Sequence, residues 1–92
     1  MEDINQLHIL VSGKVQGVGF RSFTRGIAKE LGILGGVRNL SNGKVEIMAQ
    51  GKKELLDKFL RRIKESSPGT VEDIYSEKKE ELEKFNDFNV VF

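Results

Sequence analysis

The sequence predicts an α+β sandwich, in which strands and helices follow in the order β-α-β-β-α-β and a short strand closes the chain. Three observations predict it. The apolar period switches between two and 3.6 along the chain, which separates strands from helices. Two stretches carry an apolar stripe at helical spacing, and each ends in a breaker. A hairpin signal, Asn42-Gly43, lies between the second and third strands. Two amphipathic helices in such an order bury their stripes against one face of an antiparallel sheet.

The first strand comes from alternation over Gln6 to Val15, where Leu7, Ile9 and Val11 face one way and His8, Leu10 and Ser12 the other. A glycine-rich stretch follows, and then Phe23, Ile27 and Leu31 recur every fourth residue as the stripe of a short helix. Gly32 stands where a helix C-terminus would place it. "GGVRNL", "SNGK" and "VEIMAQ" form a hairpin with a two-residue turn, and Val45, Ile47 and Ala49 supply its inward face. Leu55, Leu56, Phe59, Leu60 and Ile63 share one side of the second helix, which Pro68 and Gly69 stop. Val71 to about Lys78 is the next strand, in an irregular pattern because Val71 and Ile74 are three apart. "EKKEELEK" reads as a solvated charge run, and "FNVVF" as the closing strand. This is the split βαβ, ferredoxin-like arrangement, with residues 1–92 forming one domain.

Composition narrows the partners. Fifteen basic residues against fourteen acidic leave a formal charge of +1, which argues against a broad nucleic-acid surface. Cysteine is absent, which removes disulfides, thiolate metal sites and a cysteine nucleophile. "MEDINQLHILVSG" has neither the basic start of a signal peptide nor the length of a membrane span, so a cytoplasmic chain is expected.

"GKVQGVGFRSF", residues 13–23, is the stretch that carries chemistry. Five residues after Gly13 comes Val18 with no Lys-Ser/Thr behind it, so the Walker loop fails. Ser22 stands where the Rossmann fingerprint needs its third glycine. Gly17, Gly19, Phe20 and Phe23 match part of the RNA-recognition octamer, but that motif belongs on a central strand, and this stretch opens a helix. Two readings remain from position alone. One is a plain strand-to-helix turn with a surface arginine. The other is an anion cradle, in which orphaned N–H groups at the helix start converge and Arg21, read as the last residue before the helix, adds a guanidinium fork.

"VSGKVQGVGFRSF" followed by "GGVRNLSNGKVEI" resembles the acylphosphatase family over nearly the whole chain, including "SPGTVEDI" and "FNVVF". The resemblance implies the ferredoxin-like sandwich and hydrolysis of carboxyl-phosphate anhydrides. It implies that Lys14 to Phe20 form the phosphate-binding loop, with backbone N–H groups from Gln16, Gly17, Val18, Gly19 and Phe20. Arg21 then matches the phosphate-binding arginine, and Asn39 the asparagine that holds the attacking water. No metal, cofactor or phosphoenzyme is implied, and the expected partner is a small acyl phosphate bound by a monomer, with no nucleic acid or membrane. Gly36 stands at a position often aromatic in the family, and Asn42 at the usual turn aspartate; neither is a catalytic position. A module that senses phosphate-bearing molecules without turnover is the other function that these residues allow.

His8, the sole histidine, is expected at the surface, and Glu46, Glu54 and Asp57 as solvated carboxylates. Arg61, Arg62 and Lys64 read as a wet helix face. Arg38 should point away from Asn39's side of its strand by alternation.

Overall fold

The computed structural model describes residues 3–92. The elements are β1 (Ile4–Lys14), α1 (Phe20–Leu31), β2 (Leu34–Asn39), β3 (Val45–Lys52), α2 (Lys53–Ser66), β4 (Thr70–Lys79) and β5 (Phe88–Val90). They form one five-stranded sheet in the order β4-β1-β3-β2-β5. The ferredoxin-like fold is therefore as expected, with one change to the sheet. β5 runs parallel to β2, so the sheet is mixed and not purely antiparallel. The reason lies in the preceding segment. Glu83 bonds the side chains of Gln6 and Gln50, which face away from the helices, so residues 80–87 cross the open face and deliver β5 to the far edge.

Ile9, Val11, Val37, Val45 and Ile47 turn one face of the sheet toward Phe20, Ile27, Ala28, Leu56, Phe59 and Ile63 of the helices, all buried. Phe88 completes this core, its ring edge-on to Phe59 at 6.1 Å. Leu55, Leu60, Phe23 and Leu31, expected in the helical stripes, pack only at its margin. The α1 stripe gains Thr24, whose hydroxyl donates to the Phe20 carbonyl at 2.9 Å and so enters the core satisfied.

Several boundaries depart from expectation for physical reasons. α1 begins two residues earlier, because Gly19 at φ 81 tips the chain so that Phe20 drops into the core. Arg21 is thus the second helical residue and not the last before the helix. At the other end the N–H groups of Gly32 and Ile33 donate to Lys29 and Ala28, a Schellman closure. The hairpin turn has three residues, Ser41 to Gly43, and not two. Leu40 N–H donates to Lys44 O, and only Gly43 takes positive φ, so Asn42 bends the chain without entering the left-handed region. In β4 the register with β1 slips between Ser12 and Gly13, a bulge at Glu72. That extra residue returns Val71 and Ile74 to the same side, which accounts for their odd spacing. The charge run is exposed throughout, as expected, though Glu83 also bonds the two glutamines. Gly36 leaves β2 intact, paired to Met48 and Asn89.

Candidate active site

The turn from β1 to α1 is built from its glycines. Gly17 and Gly19 sit at φ 76 and 81, with negative φ at Val18 between them. A Cβ at either glycine would meet nothing within 4 Å, so glycine is required there for conformation and not for room. Alternation of this kind converges successive N–H groups into an anion-binding nest. Among the described residues, the N–H groups of Gly17, Val18, Gly19 and Phe20 donate to no protein acceptor. They stand at the N-terminus of α1, where the helix adds positive potential.

The loop is gripped from both sides. On one side a Cβ at Gly69, φ 83, would lie 2.0 Å from the Lys14 carbonyl and 2.9 Å from Val18 Cγ2. The Pro68-Gly69 turn is therefore pressed against the loop's base. On the other side the Gln16 amide nitrogen donates to Leu40 O at 2.7 Å and Lys44 O at 2.9 Å, at the end of the β2–β3 hairpin.

Asn39 ends β2 with the same parity as the core residue Val37, so its side chain stands on the helix side of the sheet. There a cavity of about 90 Å³ is lined by Val15, Gly17, Gly19, Phe20, Arg21, Ser22 and Asn39. Asn39 Oδ1 is buried with no hydrogen-bond partner. A buried acceptor without a donor costs about 1–3 kcal/mol, and so calls for a ligand or water. Arg21 has no carboxylate partner among the described residues, and its guanidinium carbon lies 4.9 Å from the ring centroid of Phe92. Donors, a free cation and an unanswered acceptor thus share one small space.

The structure brings Arg21, Asn39, Gly17, Gly19 and Phe20 together. Gln16 and Val18 do not line the cavity, since the first turns to the hairpin and the second to Gly69. Ser22, which sequence reasoning passed over, does line it. The missing piece was the helix register: Gly19 caps α1, which makes Ser22 the third helical residue, in the first turn beside the loop.

The remaining polar residues lie elsewhere. Arg38 points to the open face and contacts Glu46 at 2.6 Å, as alternation predicts. His8 and Glu46 correct the expectation of solvated side chains: they meet at 2.8 Å and are only 23% and 20% exposed. Burial pushes the Glu46 carboxyl up, but bonds from His8 and Arg38 and the Arg38 charge outweigh it and hold it below the ordinary carboxylate range. Asp57 stays exposed, as expected, beside Lys53, while Arg62 reaches across to Glu30 on α1. Bonds from Lys29 and the Phe88 N–H lower the Asp87 carboxyl. A larger groove, about 460 Å³, lies on the open face against Arg38, Met48, Phe85 and Val91, away from the loop and Asn39. Among the described residues, no three histidine, cysteine or carboxylate side chains gather as a metal site, and no helix is long and apolar enough to cross a membrane.

Comparison with known proteins bears on the chain as a whole. The acylphosphatase family model matches residues 7–90. The chain is 51% identical over 87 residues to an acylphosphatase of Archaeoglobus fulgidus, covering 94% of this chain and 97% of that one. It superposes on the crystal structure of acylphosphatase from Bacillus subtilis with a TM-score of 0.92 at 38% identity, covering 96% and 99% of the two chains. It also matches full-length HypF, solved in a phosphate- and nucleotide-bound form, with a TM-score of 0.90 at 29% identity; the match covers 100% of this chain and 12% of that one.

Proposed function

The chain belongs to the acylphosphatase family and is an acyl phosphate hydrolase, and from that premise we propose that water held by Asn39 attacks, in line, a phosphoryl group bound by the 14–20 loop and Arg21. The departing carboxylate is stable at neutral pH, so no strong general acid is needed. The demands are to align water with the phosphorus and to stabilise charge spreading over the phosphoryl oxygens. The converging N–H groups and the guanidinium answer the second demand with donors fixed before substrate arrives. Asn39 answers the first: its Oδ1 accepts from the water and orients a lone pair toward phosphorus. Asparagine is a poor base, so the proton passes to a phosphate oxygen. The positive charge the reaction requires comes from the chain itself, and the cavity is lined within one copy of it. The reading therefore includes a metal-independent monomer with no nucleic-acid partner.

The observation that carries this reading is the unpartnered Asn39 Oδ1 in the same cavity as Arg21 and the loop. The test is hydrolysis of benzoyl phosphate with a chelator present, beside Arg21→Ala and Asn39→Ala. Loss of one donor aimed at transition-state charge costs about 2.7–4 kcal/mol, a rate loss of about 10²–10³. Arg21→Ala is expected to lose phosphate affinity as well as rate. Asn39→Ala is expected to lose turnover while inorganic phosphate still inhibits at nearly the parental concentration. Parental rates in both variants would remove the assignment, and loss of parental activity in chelator would remove the metal-free part.

A further inference from the structure

We propose that Gln16 is a positioning residue for hydrolysis, whose side chain sets the distance between the phosphate cradle and the Asn39 amide. The inference rests on the water-holding role proposed for Asn39. Both amide protons of Gln16 are committed, to the carbonyls of Leu40 and Lys44 at 2.7 and 2.9 Å. Leu40 directly follows Asn39, and Lys44 directly precedes Val45, the cross-strand partner of Asn39. The two bonds therefore bracket the end of the hairpin on which Asn39 stands. Among the described residues, they are the only hydrogen bonds between residues 15–19 and that hairpin.

The two halves of the site lie on one sheet, but its pairing stops short of the loop. β1 pairs with β3 only as far as Val11 and Val45, and Val45 pairs in turn with Asn39, whereas past Val11 the chain leading to the loop pairs with β4 alone. The hairpin tip beyond Asn39 is exposed at Ser41, Asn42 and Gly43, and it bonds mainly to itself. Without the Gln16 amide, no hydrogen bond fixes that end to the loop beyond the Val11–Val45 pair, and the two can shift relative to each other. Phosphate would still find its N–H groups and Arg21, since Gln16 keeps its own backbone donor. Water would be misaligned, and a misplacement of about 1 Å costs about 10²-fold in rate.

Gln16→Met keeps the length and bulk of the side chain and removes both donors. It is expected to lower kcat for benzoyl phosphate about 10- to 100-fold, with KM and inhibition by inorganic phosphate within about threefold of the parent. In an Asn39→Ala background the same change is expected to cost nothing further, because the residue it positions is already gone. Gln16→Glu supplies a second readout. As a carboxylate it offers the two carbonyls no proton, but protonated it donates once. Its kcat relative to the parent at the same pH should therefore recover as pH falls toward the ordinary glutamic acid value of about 4.3. Circular dichroism establishes that each variant is folded; if Gln16→Met is not, the relative pH profile of Gln16→Glu decides. A Gln16→Met protein with parental kcat, a full penalty in the Asn39→Ala background, or a flat relative profile for Gln16→Glu would each overturn the inference. If Asn39→Ala turns over at the parental rate, the water-holding role falls and takes the inference with it. A slow Asn39→Ala beside an undisturbed Gln16→Met overturns the inference alone.

Discussion

Replacing Gly69 with alanine tests whether the turn after α2 holds the catalytic loop in place. Two costs are separable. The first is conformational, because Gly69 stands at φ 83, where an L-residue loses about 1–2 kcal/mol relative to its preferred regions. The smaller entropy of the unfolded alanine chain returns about 0.4–1 kcal/mol, leaving a net loss of about 1 kcal/mol. The second cost is steric. The new Cβ would sit 2.0 Å from the Lys14 carbonyl, and real contacts do not fall under 3.0 Å, so the backbone on one side must give way. Lys14 leads directly into the loop, and a displacement of about 1 Å there costs about 10²-fold in rate. Gly32→Ala is the matched control, since Gly32 has φ 71 but nothing within 4 Å of its Cβ position. Thermal unfolding and benzoyl phosphate turnover are measured on both. Gly32→Ala should lower Tm by about 4–8 °C with parental kcat. Gly69→Ala should lower Tm further and cut kcat at least tenfold. Equal Tm losses with undisturbed turnover in both would refute the idea that this turn braces the loop.

Three further outcomes follow from the geometry. Glu46 has its pKa lowered in the folded state, so its contribution is full above its ordinary value of 4.5 and is lost as pH falls below it. Urea midpoints between pH 7 and pH 3 should therefore fall less steeply with acid in Glu46→Gln than in the parent. Phe92→Ala removes the fully exposed ring beside Arg21, so KM should rise no more than about fivefold. Arg38→Ala should leave kcat within twofold, because its side chain lies on the open face, and should cost about 0.2–1 kcal/mol of stability by denaturant titration.

The elements were legible where local chemistry decides them. Ile9, Val11, Val45 and Ile47 alternate because one face of their strands is buried, and Leu56, Phe59 and Ile63 share a helical face for the same reason. Asn39 could be set on the opposite face from Arg38 by parity alone. What escaped depended on partners distant in sequence. The parallel pairing of β5 follows from the lock between Glu83, Gln6 and Gln50, which no local pattern announces. His8 and Glu46 read as solvated because each carries a polar head on an open face, yet the register of β1 with β3 brings them together. Gln16 was placed in the loop for its backbone donor, while its side chain reaches across to the hairpin. Ser22 was passed over because the helix was started too late.

The pairing of Lys14 with Thr70 joins the first strand to the last long one, across most of the chain. Arg21 and Asn39 come from the segment β1, α1 and hairpin, in which β1 pairs with β3 across shorter stretches of chain than with β4. The brace at Gly69 arrives only when β4 closes a long loop, a step slowed by the entropy of bringing distant residues together. Refolding should therefore pass through a stage in which helices and hairpin are formed but the loop lacks its support. Recovery of hydrolysis should lag recovery of helical circular dichroism, which makes catalysis a clock for the docking of the edge strand.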